Sequence, residues 1–168
     1  LMLAEIRRDE QRKTQLVRRW ARKGLTLSDE EKALADKARM KIEKLARKAM
    51  GSIIYESEVA AVIDMRNTRI AGYAGLTASK LSDTLNKTVF LAFNPNPWQT
   101  VITCRAPSET PVNLPEILDK VSSTIGAAGG GHKKAAAIRF PQEKWEKAYR
   151  TLLENLSPQH SQHGKNTY

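Results

Sequence analysis

The sequence predicts an α/β fold: a mixed β-sheet flanked by helices, preceded by a basic two-helix N-terminal arm. Three observations predict it. Apolar residues at helical spacing run through residues 2–50. After Gly51-Ser52 the composition shifts to short β-branched and apolar runs. From there strand-like and helix-like segments alternate, which implies a sheet covered by helices. The 168 residues leave room for one domain of ordinary size and an accessory element. Hydrophobic content of 40% with 27% charged is globular composition. No run reaches the ~18–20 apolar residues of a membrane span, so a membrane is not among the expected partners.

Residues 2–23 read as a helix of good helix formers with a thin apolar stripe of Leu3, Ile6, Leu16, Val17 and Trp20, ended by Gly24. Ser28-Asp-Glu-Glu31 matches a capping box and opens a second helix, running to about Met50. Its stripe of Leu34, Ala38, Ile42, Leu45 and Ala49 faces a neighbour, while Lys37, Lys41, Lys44 and Lys48 face water. Ile53 to Asp64 reads as strand, with a turn at Arg66-Asn67-Thr68. Leu76 to Asn86 is a short amphipathic helix, and Thr88 to Phe93 a continuous apolar strand buried on both faces. Asn94-Pro-Asn-Pro97 has turn chemistry. Trp98 to Arg105 is the next strand, Pro107 to Pro111 a loop, Leu114 to Ile125 a helix, Ala135 to Phe140 a strand and Gln142 to Leu156 a helix. The polar Ser157–Tyr168 is expected to be a disordered tail. The expected division is therefore an arm or connector over 1–50, an α/β domain over 51–156 and a tail over 157–168.

Net charge is +10, unevenly spread: residues 1–50 hold 15 Lys/Arg against 8 Asp/Glu, and the remainder 13 against 10. Such asymmetry points to a polyanion, nucleic acid above all, or to a plain solvated helix face. The single Cys104 has no partner for an internal disulfide, and LMLAEIRRDE lacks the features of a signal peptide. A reducing, cytoplasmic setting is expected. The chain begins with Leu1 in place of Met, as a piece of a longer protein would.

The stretch GAAGGGHKKAAA, residues 126–137, admits two physical readings. Glycines allow successive backbone N–H groups to form a concavity for phosphate, with His132, Lys133 and Lys134 supplying further donors and charge. Alternatively, Gly126 ends the preceding helix in the left-handed conformation and the rest is slack. A Walker or dinucleotide loop is excluded, because a strand and not a helix follows.

Gly129-Gly-Gly-His-Lys-Lys-Ala-Ala136 resembles the GGGHxxAAG signature of the DHH-associated domain. That domain is the C-terminal substrate-binding lobe of DHH phosphoesterases such as RecJ exonucleases, nanoRNases and cyclic-dinucleotide phosphodiesterases. Thr77-Ala-Ser-Lys-Leu81 resembles the family's ASRL-type helix, and Thr103-Cys104-Arg105 its strand-end Ser-x-Arg. The resemblance covers about residues 53–156. It implies that Arg105 and His132 contact a substrate phosphate, that Gly129, Gly130 and Gly131 let the backbone approach closely, and that Thr103 adds a hydroxyl. Arg suits this role because its planar fork meets phosphate oxygens bidentately. The signature's closing Gly is Ala137 here.

The resemblance also implies manganese or magnesium in the full enzyme, held by an N-terminal catalytic lobe in the same longer chain. That lobe's Asp-His-His does not occur in this sequence, whose histidines are His132, His160 and His163. Asp64 is a single carboxylate without a matching partner. This chain alone is therefore expected to bind but not to catalyse, and to need no cofactor of its own. Single-stranded DNA or RNA is the expected ligand, held through phosphates, since aromatics are only 6%. Two alternatives stand beside it: a tRNA-binding module like the C-terminal domain of alanyl-tRNA synthetases, and a non-catalytic interaction protein of a replication complex. A Cys104 nucleophile, a zinc site and a His160-x-x-His163 chelator have little support in the sequence.

Overall fold

The structure is a computed structural model that describes residues 5–6, 9–24 and 26–156. The expected tail, with His160 and His163, and Leu3 of the first apolar stripe lie outside the described residues. Helix α1 spans Glu10–Lys23 and α2 spans Asp29–Met50. α1 begins later than the apolar stripe suggests, because the Asp9 carboxylate accepts from the Arg12 N–H at 2.8 Å and caps a new helix start. The capping box at α2 is complete: Ser28 Oγ accepts from the Glu31 N–H, and the Glu31 carboxylate accepts from the Ser28 N–H.

Six strands follow among the described residues: β1 (Ile53–Glu56), β2 (Ala60–Asp64), β3 (Thr88–Asn96), β4 (Gln99–Arg105), β5 (Ala128–His132) and β6 (Ala135–Pro141). Three helices are interleaved with them: α3 (Ala74–Leu85), α4 (Leu114–Ile125) and α5 (Trp145–Leu156), the last entered through a 3-10 turn at Gln142–Lys144. One mixed sheet results, in the order β1-β2-β3-β4-β6-β5, with β2 and β3 parallel and the other neighbours antiparallel. The α/β class and the mixed sheet are as the sequence predicts.

Alternation along the strands divides the core into two layers. Phe90, Ala92, Ile102, Cys104, Ile138 and Phe140 face α4 and α5. Ile63, Val89, Leu91, Phe93 and Val101 face α2 and α3, where Ala38, Ile42, Leu45 and Ala49 of α2 are buried as their spacing predicts. α2 is thus part of the core, and α1 packs beside it through a small cluster of Ile6, Leu16 and Trp20 with Leu34 and Ala35. Val17, assigned to the apolar stripe, is exposed.

Three local departures from the sequence expectations have physical causes. The single strand over Ile53–Asp64 is two, because the Ser57 N–H donates to the Ala60 carbonyl and Ser57 Oγ accepts from the Ala60 N–H, closing a turn. β3 runs through Pro95 to Asn96, leaving Pro97-Trp98 as the turn. Pro95 lies beyond the stretch paired with β2, within a register shift against β4, where its missing N–H breaks no ladder. The glycine stretch is neither slack nor a loop: Gly126 caps α4 at φ 61°, and Ala128–His132 then forms the edge strand β5.

Candidate phosphate-binding face

Strand register assembles the site. β6 pairs with β4 so that Ala135 stands opposite Arg105, Ala137 opposite Thr103 and Arg139 opposite Val101. β5 pairs with β6 so that His132 stands opposite Ala135, Gly130 opposite Ala137 and Ala128 opposite Arg139. Cross-strand rows share a face. Arg105, Ala135 and His132 therefore form one row, Thr103, Ala137 and Gly130 the next, and Val101, Arg139 and Ala128 a third, all on the side that carries α2 and α3. There α3 packs over β3 and β4. Next to it Gly130, His132 and Arg139 are exposed and Ala135 and Ala137 half-buried, so small residues form an open floor.

The three consecutive glycines divide by face. A Cβ at Gly129 would lie 2.2 Å from Ile138 Cγ2, and one at Gly131 2.3 Å from Ala136 Cα, so the sheet itself requires glycine at both. A Cβ at Gly130 would meet nothing within 4 Å. Gly130 is the glycine that leaves room on the open face.

Arg105 is set at the wall of this floor. Its Nη1 donates to the Cys104 carbonyl at 2.8 Å and to Thr103 Oγ1 at 3.4 Å. Thr103 is buried and orients the guanidinium. Nη2 lies against the first turn of α3, where a Cβ at Gly75 would approach it to 2.9 Å. That turn has no side-chain cap and no acidic residue, and the N–H groups of a helix's first turn point outward along its axis. A cation thus sits at the positive end of a helix dipole. Among the described residues no carboxylate is paired with Arg105. An anion held between the guanidinium and these amides would relieve that repulsion.

At the other end of the row, His132 Nδ1 accepts from the Lys134 N–H at 3.4 Å, which in the neutral ring places the proton on Nε2 as an outward donor. Lys133 and Lys134 form the exposed β5–β6 turn. The Lys134 carbonyl accepts from the Ala106 N–H, tying this turn to the end of β4. A cleft of about 700 Å³ opens beside it, between the Pro107–Asn113 segment and the two lysines.

The structure therefore brings Arg105, Thr103, Gly130 and His132 together on one face, with Lys133 and Lys134 at its end and Gly129 and Gly131 beneath it. Sequence reasoning missed Gly75 and the uncapped turn of α3, and also Arg139, whose place on this face follows from strict alternation after Ala135 and Ala137. Asp64 pairs with Arg66, whose Nη2 donates to it at 2.8 Å and whose guanidinium lies 4.1 Å from the Trp145 ring centroid. Burial acts to raise the Asp64 pKa, but hydrogen bonds from the Arg66 side chain and backbone outweigh it and hold the carboxyl below its ordinary range. Cys104 is fully buried, and burial pushes its thiol far up, away from nucleophilic chemistry. Among the described residues no group of three or more His, Cys, Asp or Glu could hold a metal ion. No described helix is long and apolar enough to cross a membrane.

The mixed sheet thus carries helices on both faces and, beside α3, a cationic ledge floored by small residues. The model of the DHHA1 domain family matches residues 57–157, and the chain belongs to that family, the DHH-associated domain of DHH phosphoesterases. Among solved structures, RecJ of Thermus thermophilus in complex with Mg2+ shares 21% identity at a TM-score of 0.56, over 73% of this chain and 18% of its own. The pGpG-specific phosphodiesterase PggH of Vibrio cholerae shares 16% identity at 0.54, over 76% of this chain and 42% of its own. CDC45 of Entamoeba histolytica shares 10% at 0.57, over 74% and 28%. The chain thus spans less than half the length of each of these proteins, and at these identities the likeness is one of fold. No curated protein sequence matches the chain.

Proposed function

We propose that this chain is the substrate lobe of a DHH phosphoesterase and that it holds the phosphate of a single-stranded nucleic acid. The carrying observation is the Arg105 guanidinium against the uncapped first turn of α3, without a paired carboxylate among the described residues. Arg105 and the Nε2–H of His132 grip the phosphate, Thr103 fixes the arginine, and Gly130 admits the strand to the floor. Gly129 and Gly131 serve by letting β5 lie close to β6, and Lys133 and Lys134 add long-range attraction. Hydrolysis belongs in this reading to a catalytic lobe of the same longer protein, joined through the basic segment 1–50 and carrying manganese or magnesium. RecJ structures bound to either ion are among the structural relatives.

The test is a fluorescence-anisotropy titration of short DNA and RNA strands, with and without a 5′-phosphate, at two salt concentrations. Arg105→Ala should weaken binding about 10- to 150-fold, the affinity equivalent of the ~1.5–3 kcal/mol of a charged hydrogen bond. It should also lower the salt slope by about 1. Binding that is indifferent to salt and to Arg105 would refute the reading and leave the basic helices as a protein-docking arm.

A further inference from the structure

We infer that the ledge continues past the phosphate site into a single-strand track ending at Arg139 and Trp98, so that the preferred ligand is an extended oligonucleotide and not a mononucleotide or a compact cyclic dinucleotide. The inference rests on the phosphate-binding reading of Arg105. Arg139 stands on the same open face, two rows beyond Arg105. Its side chain is exposed and has no hydrogen-bond or ion-pair partner among the described residues. Between the two arginines lie Ala135, Ala137, Gly130 and the buried Thr103, which leave the floor low enough for a sugar-phosphate backbone.

Beyond Arg139 the β3–β4 turn presents Trp98, 79% exposed, the most exposed of the large hydrophobic side chains described. Its backbone is nonetheless held. The Trp98 N–H donates to Asn96 Oδ1 at 3.0 Å, the Gln142 N–H donates to the Trp98 carbonyl at 3.0 Å, and Pro95 and Pro97 stiffen the approach. An aromatic ring offered to solvent from an ordered turn has little left to lose in entropy when a base stacks on it.

Seven residue steps along β4 lead from Trp98 to Arg105, about 23 Å at a strand rise of ~3.3 Å. That matches about seven nucleotides at the stacked rise of ~3.4 Å, and fewer when the strand is extended. One nucleotide cannot occupy both ends.

The experiment compares a labelled, 5′-phosphorylated strand of about 12 nucleotides, longer than the track, with a 5′-phosphorylated dinucleotide used as competitor. Arg139→Ala and Trp98→Ala should each weaken the long strand about 10-fold while leaving the dinucleotide within about twofold. Arg105→Ala should weaken both. Equal losses on both ligands, or no loss on the long strand while Arg105→Ala still weakens it, would overturn the track and spare the phosphate site. Indifference of both ligands to Arg105→Ala would instead remove the phosphate site on which the track depends. Both track residues are exposed, so far-UV circular dichroism of the variants should match the parent.

Discussion

Replacing Gly130 and Gly131 separately with alanine distinguishes a glycine kept for a ligand from one kept for the fold. At Gly131 an added Cβ would lie 2.3 Å from Ala136 Cα and 2.4 Å from the Ala135 carbonyl oxygen, at φ 157°. Overpacking of that kind costs about 1–3 kcal/mol. The unusual backbone conformation adds about 1–3 kcal/mol for a residue with a side chain. Because β5 is an edge strand and can partly peel away, we expect about 2–4 kcal/mol of lost stability, the lower part of that sum. At Gly130 the same methyl group meets open space and φ is not positive, so alanine should be neutral or stabilise by about 0.4–1 kcal/mol through the unfolded chain. Urea unfolding reads both. With m near 2 kcal/mol/M, Gly131→Ala should lower the midpoint by about 1–2 M, and Gly130→Ala should leave it level or slightly higher. Gly130→Ala should nevertheless lose affinity for a phosphorylated strand. Equal destabilisation by the two substitutions would refute the division of the glycines by face.

Further outcomes follow from the same structure. Cys104 should resist alkylation in the folded protein, since its thiol is buried and its pKa raised, and should react once urea unfolds the chain; rapid labelling of the native state would contradict the core assignment. Ser28→Ala removes half of the capping box and should cost about 0.5–2 kcal/mol, read by chemical denaturation. The Glu31 carboxyl is held below its ordinary range, chiefly by the hydrogen bond from Arg19 and then by the Ser28 N–H. A depressed carboxylate stabilises above its unfolded pKa and loses that contribution as pH falls through the folded value. Acidification below the ordinary glutamate range should therefore loosen the α1–α2 hairpin, and Glu31→Gln should blunt the response of helical circular dichroism to acid.

The helices and strands are readable in the sequence because their burial is periodic. α2 shows its Ala38, Ile42, Leu45 and Ala49 stripe, and α4 runs over Leu114–Ile125 as its pattern predicts. The glycine stretch reads as a loop because glycine has little intrinsic strand preference. Its strand character comes from pairing with the small residues of β6, a tertiary effect that no local window carries. The site is legible as a set of residues through the GGGH resemblance, and its geometry only partly so. The placement of Thr103 and Arg105 against β6 needs the register of three strands. Gly75 meets Arg105 across a helix–sheet contact that sequence spacing does not encode. Arg139 is within reach, since alternation along β6 places it on the face of Ala135 and Ala137.

The central claim is that an anion binds between Arg105, His132 and the first turn of α3. Chemical-shift mapping of the ¹⁵N-labelled chain during titration with a 5′-phosphorylated trinucleotide tests it most directly. The predicted result is a set of shifts centred on the amides of Ala74, Gly75, Leu76, Gly130 and His132 and on the Arg105 side chain, absent in Arg105→Ala. Shifts confined to the α1–α2 hairpin, with the glycine strand unmoved, would contradict it.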